Sequence, residues 1–163
     1  MKKSMPWIRC AGFLVGLAVI LGICDFCFAP SGYVRFILHE VNRKDTQYDT
    51  IILGASHARS AINPEYLEEE LGTNTLNLAI PGETVKDAYY LLKDACESND
   101  VKTVIMDVDY QYWMDEQPQG YFTEPFICQN ITNLKVKTEY LLDNWDTIDL
   151  RNVLVRRLSW DCT

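Results

Sequence analysis

Three short segments hold the residues whose types and spacing suit chemistry: Gly54-Ala55-Ser56-His57-Ala58-Arg59-Ser60, Pro81-Gly82-Glu83-Thr84 and Asp107-Val108-Asp109. A serine on a tight turn between a strand and a helix is exposed and lies near main-chain N–H groups that stabilise an oxyanion, as acyl transfer requires. Gly54 and Ala55 are small enough to permit that turn before Ser56. Gly82, lacking a side chain, can bring its own N–H close from a neighbouring segment. Helix-capping serines and turn glycines occupy such positions in many α/β proteins, so catalysis and plain local structure compete as readings. Arg59 suits either an anionic group of a substrate or the capping and solvation of a helix. Asp107 and Asp109 form Asp-x-Asp at a strand end, a pattern able to bind a metal–phosphate ligand; no further carboxylate or histidine motif accompanies it. A polar strand end or cleft wall is the other reading of that pair.

A neutral hydroxyl attacks an acyl carbon only when a base removes its proton. The chain has two histidines, His39 and His57. His57 adjoins Ser56, so its ring reaches the serine proton only by distorting the turn, and His39 precedes the first strand. Neither histidine has a cysteine nearby, which leaves no zinc pattern. The expectation is no metal and no cofactor.

The elements that must position these residues alternate. Tyr48 to Gly54, Thr75 to Ile80 and Lys102 to Val108 are apolar, β-rich runs about 26–28 residues apart, and they read as buried strands. Between them Asn63-Pro64 and Gly72 bracket a helix over Glu65 to Leu71. Glu83 to Ser98 carries Val85, Ala88, Tyr89, Leu92 and Ala95 at helical spacing. Strands joined through helices give a parallel sheet with right-handed crossovers, an α/β three-layer fold. Ligands of such a sheet collect outside the carboxyl ends of its strands, where all three segments fall. Upstream, a short helix is predicted around Tyr33 to Val41. Beyond Asp109 the alternation fails in a stretch with Tyr110, Tyr112, Trp113, Tyr121, Phe122 and Phe126, suited to lining a glycan cleft or to packing. Helices are predicted at Asn133 to Asn144 and Asp149 to Trp160, and no fourth or fifth strand is evident in the sequence.

The 163 residues carry a formal charge of −8, with 48% hydrophobic side chains, enough for one packed domain and unlike a disordered chain. The first 29 residues contribute +2, from Lys2, Lys3 and Arg9 against Asp25, leaving −10 on the remainder. Broad phosphate-backbone binding is disfavoured and no nucleic-acid partner is expected. Cys10 to Cys24 is an uncharged apolar run. From Trp7 to Phe28 a helix at ~1.5 Å per residue matches a ~30 Å hydrocarbon layer, with the basic flank held inside. An uncleaved anchor is preferred here to a cleaved signal, since Pro30 follows Cys27-Phe28-Ala29, and to lipidation at Cys24, since Ile23 stands where a small residue is wanted. Of the six cysteines, Cys96, Cys128 and Cys162 lie outside this segment, an odd number that argues against a disulfide framework.

Ile51 to Pro64, reading Ile-Ile-Leu-Gly-Ala-Ser-His-Ala-Arg-Ser-Ala-Ile-Asn-Pro, resembles the first block of the SGNH/GDSL hydrolase superfamily. It is most similar to membrane-anchored bacterial members, including the D-alanyl-lipoteichoic-acid synthesis proteins and related cell-envelope acyltransferases. Asn77-Leu78-Ala79-Ile80-Pro81-Gly82-Glu83-Thr84 is similar to the second block. The resemblance spans roughly Tyr48 to Trp113 and implies a flavodoxin-like sheet. It makes Ser56 the nucleophile, with the N–H groups of Ser56 and Gly82 as oxyanion-hole donors, and His57, Arg59, Thr84 and Asp109 as possible substrate-binding residues. The family's third donor, an asparagine after the third strand, has no counterpart in Asp107-Val108-Asp109-Tyr110. Its late Asp-x-x-His block, the source of acid and base, is also missing, since no histidine follows His57.

The sequence thus leads to an anchor at 1–29, a connector at 30–47 and a partial SGNH-like α/β domain at 48–163. The expected protein is single-pass in a bacterial cell membrane, amino terminus cytoplasmic and domain extracytoplasmic. It is an esterase or O-acyltransferase type acting on an acyl donor and a cell-envelope glycan or polymer, inactive as this chain alone. The alternative is a non-catalytic binding or assembly module that keeps the fold. A continuation of the coding region past Thr163 with the missing block separates the two.

Overall fold

The computed structural model describes residues 6–27, 32–108 and 123–148. Within them the chain is mixed α/β, with a parallel sheet of order β2-β1-β3. The central strand β1 (Thr50–Leu53) pairs with β2 (Thr75–Asn77) on one side, Ile51 opposite Leu76. On its other side it pairs with β3 (Thr103–Met106), Ile51 opposite Val104. Every residue of β1 is buried, as befits a strand covered on both faces. The ladder continues past the assigned end of β2, where the N–H groups of Leu78 and Ile80 donate to the carbonyls of Ile52 and Gly54.

Successive strand residues point to opposite faces, and the core divides accordingly. Ile51 and Leu53 join a large cluster with Ile37, Leu38, Leu91, Ile127, Val136 and Tyr140. These come from α2 (Tyr33–Val41), α5 (Val85–Ser98), α6 (Thr123–Asn130) and α7 (Leu134–Asp143). Ile52 faces the other way, against Ala58 and Ala79 with Ile62, Leu67 and Ile105 around them. Ala58 and Leu67 belong to α3 (Ser56–Ala61) and α4 (Pro64–Leu71). Helical side chains therefore cover both faces of the sheet, the three layers expected.

The helix boundaries have local causes. Asn63 caps α4 by accepting from the Glu65 N–H, Pro64 follows, and Gly72 ends the helix at φ 64°. Thr84 and Asp87 form a reciprocal capping box at the start of α5. Asn133 caps α7 by accepting from the Lys135 and Val136 N–H groups.

Two expectations need correction. The third run is not buried on all sides: Thr103 and Val104 are exposed and Ile105 and Met106 half-buried, because β3 is an edge strand of the described sheet. Helices α3 and α6 were not foreseen, the first because six residues show no amphipathic period, the second because it follows the aromatic stretch. The helix expected over Asp149 to Trp160 lies outside the described residues, as does most of the aromatic stretch.

The amino-terminal helix α1 (Pro6–Cys27) has 22 residues, and every side chain described in it is exposed. Among the described residues no helix is long and apolar enough to cross a membrane.

Candidate active site

The chain runs from β1 to β2 on one side of the sheet and then to β3 on the other, which puts the switch in direction between β1 and β3. In open α/β sheets the crevice at such a point, beyond the carboxyl ends of the strands, is where ligands bind. Gly54 sits there, immediately after β1. Its φ of +146° belongs to glycine, and a Cβ on it would meet the Ala58 Cβ at 2.7 Å and the Asp107 Cβ at 2.8 Å. The strand end is thus pressed between α3 and the end of β3. Asp107 closes the ladder by donating its N–H to the Leu53 carbonyl at 3.0 Å.

Facing Gly54 is the turn from Ile80 to Glu83. The Glu83 N–H donates to the Ile80 carbonyl at 3.0 Å, Pro81 stands second, and Gly82 has φ 76°, the arrangement of a type II turn. That turn folds the Glu83 side chain back onto the strand ends. One carboxylate oxygen accepts from the Gly54 N–H at 3.0 Å and the other from the Ile80 N–H at 2.8 Å. Glu83 is 3% exposed. A buried carboxylate is tolerable only when its lone pairs are met by donors, and here two adjacent strand ends supply them. Glu83 therefore ties the turn bearing Gly82 to the turn bearing Ser56.

Ser56 is the first residue of α3 and is exposed. The cap position belongs to Ala55, with no side-chain cap bond, so Ser56 is not the helix-capping serine that its context also allowed. His57 is exposed beside it, and Gly82 is half-buried. Thr84 has its hydroxyl in the α5 capping box, accepting from the Asp87 N–H at 3.1 Å and donating to the Asp87 carboxylate at 2.9 Å. Asp107 is half-buried at the strand end, while Asp109 lies outside the described residues. Among the described residues no group of three or more His, Cys, Asp or Glu side chains is arranged to hold a metal ion.

Arg59 follows Ser56 by three residues on α3, which sets both on one side of the helix. Its guanidinium lies 4.0 Å from the centroid of the Tyr33 ring, a cation–π contact. The Tyr33 hydroxyl donates to the Asn77 carbonyl at 3.3 Å. Burial pushes that hydroxyl's pKa up, Arg59 opposing and Glu83 adding to the effect. The buried Asn77 side chain donates in turn to the carbonyls of Ala58 and Ile62, both at 3.0 Å. Tyr33, Asn77 and Glu83 were not among the expected site residues. Glu83 read as the first residue of a helix, and Tyr33 stands in a connector whose sequence gives no hint of the sheet end it reaches. The family-model scan, the curated proteins and the solved structures gave no match to this chain.

Proposed function

We propose that the chain carries the nucleophile and oxyanion half of a serine acyl-transfer site, on a flavodoxin-like, SGNH-type domain tethered to a bacterial membrane by α1 and facing the cell envelope. The observation that carries this reading is the close-packed turn at Gly54, which leaves an exposed, non-capping Ser56 beyond the end of the central strand. The strand order β2-β1-β3 supports it too, being the first part of the flavodoxin-like order. So does the Glu83 tie, which draws the Gly82 turn to the same strand end.

In this reading the Ser56 oxygen attacks an acyl carbon and the carbonyl oxygen becomes an oxyanion between the N–H groups of Ser56 and Gly82. The leaving group departs with a proton, and the acyl-serine passes to water or to a sugar hydroxyl of an envelope polymer. In this reading Ser56 must lose its proton to a base other than His57, which adjoins it in sequence, and His39, which precedes β1, and negligible hydrolase activity is expected of the chain alone. For the anchor, the 22 residues of α1 give a length of ~33 Å at ~1.5 Å per residue, and Arg9 near its start favours a cytoplasmic amino terminus.

Turnover of a small acyl ester by the full chain in neutral detergent, with and without added imidazole as an external base, tests the reading against Ser56→Ala. Serine-dependent turnover is expected only with imidazole. No difference between the two proteins under either condition refutes the nucleophile, and serine-dependent turnover without imidazole refutes the missing base. A second reading, a non-catalytic envelope module on the same fold, is favoured by the commitment of the Gly54 and Ile80 N–H groups to Glu83, which leaves fewer donors for an oxyanion.

A further inference from the structure

We propose that Arg59, seated on the ring of Tyr33, recognises an oxyanion, a phosphate or a carboxylate, carried by the substrate that Ser56 engages. The inference rests on the reading of Ser56 above and adds to it the charge of the substrate. Among the described residues several other cations of the domain side are held by neighbours. Arg43 pairs with Glu40 and Asp45, Lys93 with Glu139, Lys102 approaches Asp100, and Lys86 donates to the Asp143 carbonyl. No ion pair holds the Arg59 guanidinium among the described residues, and it lies over the Tyr33 ring. A ring beneath a guanidinium uses its face and leaves the in-plane N–H fork for a bidentate acceptor, the geometry in which phosphate and carboxylate are bound.

The seat is built in advance. Asn77 accepts from Tyr33 at its carbonyl and, through its side-chain amide, holds the carbonyls on either side of Arg59, those of Ala58 and Ile62. One residue of β2 thereby fixes both the aromatic ring and the helical turn that presents the cation, which lowers the ordering cost of binding. Spacing of three residues sets the Arg59 Cβ about 5–6 Å from that of Ser56, so an anion at the guanidinium places an adjoining acyl or hydroxyl group beside the serine. A chain of net charge −8 repels anions at long range, so recognition at this site is short-range and set by the Arg59 guanidinium.

The test titrates the full chain in neutral detergent with inorganic phosphate, glycerophosphoglycerol and acetate, following the Arg59 Nε–H resonance by NMR and heat by calorimetry. Saturable binding with a shift of the Arg59 resonance is expected for at least one probe, and which probe binds distinguishes a free anion, a phosphodiester polymer unit and a carboxylate. Arg59→Ala should weaken it by ~10-fold or more and Arg59→Lys by less, since lysine keeps the charge without the fork. Tyr33→Leu should weaken it several-fold, with Tyr33→Phe nearer the parent. These readouts follow binding and not turnover, so a failure of the nucleophile leaves this result intact. Absence of saturable binding for all three probes, or equal binding by a folded Arg59→Ala, overturns the proposal.

Discussion

Removing the Glu83 carboxylate is the sharpest perturbation of the strand-end clamp. Glu83→Ala leaves the Gly54 N–H, buried at the end of β1, without the oxygen it meets at 3.0 Å. The Ile80 N–H fares better, because it also donates to the Gly54 carbonyl at 3.2 Å and keeps that partner. One orphaned buried donor costs about 1–3 kcal/mol, and losing two charge-assisted bonds adds to it. Relief of the desolvation that a buried carboxylate carries works in the opposite direction. The net expectation is a loss of about 2–3 kcal/mol, a large part of the ~5–15 kcal/mol that holds a typical domain. Glu83→Gln keeps one acceptor for Gly54 but turns an NH₂ group toward Ile80, so its loss should be about half as large, ~1–1.5 kcal/mol. Urea unfolding of the full chain in neutral detergent, followed by far-UV circular dichroism, reads both. With slopes of ~1–3 kcal/mol per molar, the alanine midpoint should fall by about 1 M or more at unchanged slope, with glutamine in between. An alanine variant within ~0.5 kcal/mol of the parent would refute the clamp, because that is the scale of an ordinary surface change.

Gly54→Ala should cost about 3 kcal/mol or more by the same assay, combining a left-handed φ with contacts below 3 Å to Ala58 and Asp107. Gly72→Ala, at φ +64° in open space, should cost only ~1 kcal/mol, and equal losses at the two sites would remove the case for close approach at Gly54. Asp87 is buried and its pKa is raised, chiefly by desolvation, with Thr84 and Tyr140 opposing. Its native form binds a proton more readily than the unfolded one, so it contributes most below its ordinary value, and that contribution is lost as pH rises through the raised value. Subtracting the pH–stability curve of Asp87→Asn from that of the parent should leave a difference that falls with rising pH in that window; a flat or rising difference would count against the assignment. Cys96 is exposed, and the partial desolvation of its thiol, with Glu97 adding, pushes its pKa up, so a membrane-impermeant maleimide should label it slowly and faster at higher pH. In intact cells bearing a Cys162→Ser variant, labelling of Cys96 before lysis supports an outward domain, and labelling only after lysis refutes that orientation.

What the sequence made legible was whatever rests on nearest-neighbour chemistry. Asn63-Pro64 and Gly72 bracket α4 because a cap, a fixed φ and a left-handed stop act within a turn or two. The apolar runs marked all three strands because a strand in a covered sheet is apolar throughout. They did not distinguish β1, buried at every residue, from β3, exposed along half its length, since that depends on what lies alongside in space. Ser56, His57, Arg59 and Gly82 could be nominated because strand ends converge in any parallel sheet. The roles of Glu83, Tyr33 and Asn77 could not, since each depends on a contact across 15 to 44 residues of sequence that no local pattern encodes. Glu83 is the instructive case: an acidic residue beside a helix start is expected to complement the helix dipole, yet its carboxylate turns away to serve β1 and β2.

The same carboxylate constrains any chemistry at this cleft. An oxyanion forming between the Ser56 and Gly82 N–H groups would develop beside a fixed negative charge, one already drawing on the Gly54 and Ile80 donors. Like charges in a partly desolvated site oppose each other more strongly than in water. Two N–H donors must then stabilise the oxyanion against that field, unless a cation offsets it. Arg59 is the cation at hand, three residues from the serine and carried on a ring whose hydroxyl responds to both Arg59 and Glu83. On the proposed reading the clamp and the cation act together: Glu83 gives the two turns their geometry at an electrostatic cost, and Arg59 would offset part of it. On this reasoning Arg59→Ala should damage any serine-dependent turnover of a neutral ester as well as recognition of an anionic one, and more severely in the parent than in a folded Glu83→Gln. A double-mutant cycle on those two positions, read as imidazole-assisted ester turnover, measures that coupling, and independent effects at the two sites would show that the charges do not act together.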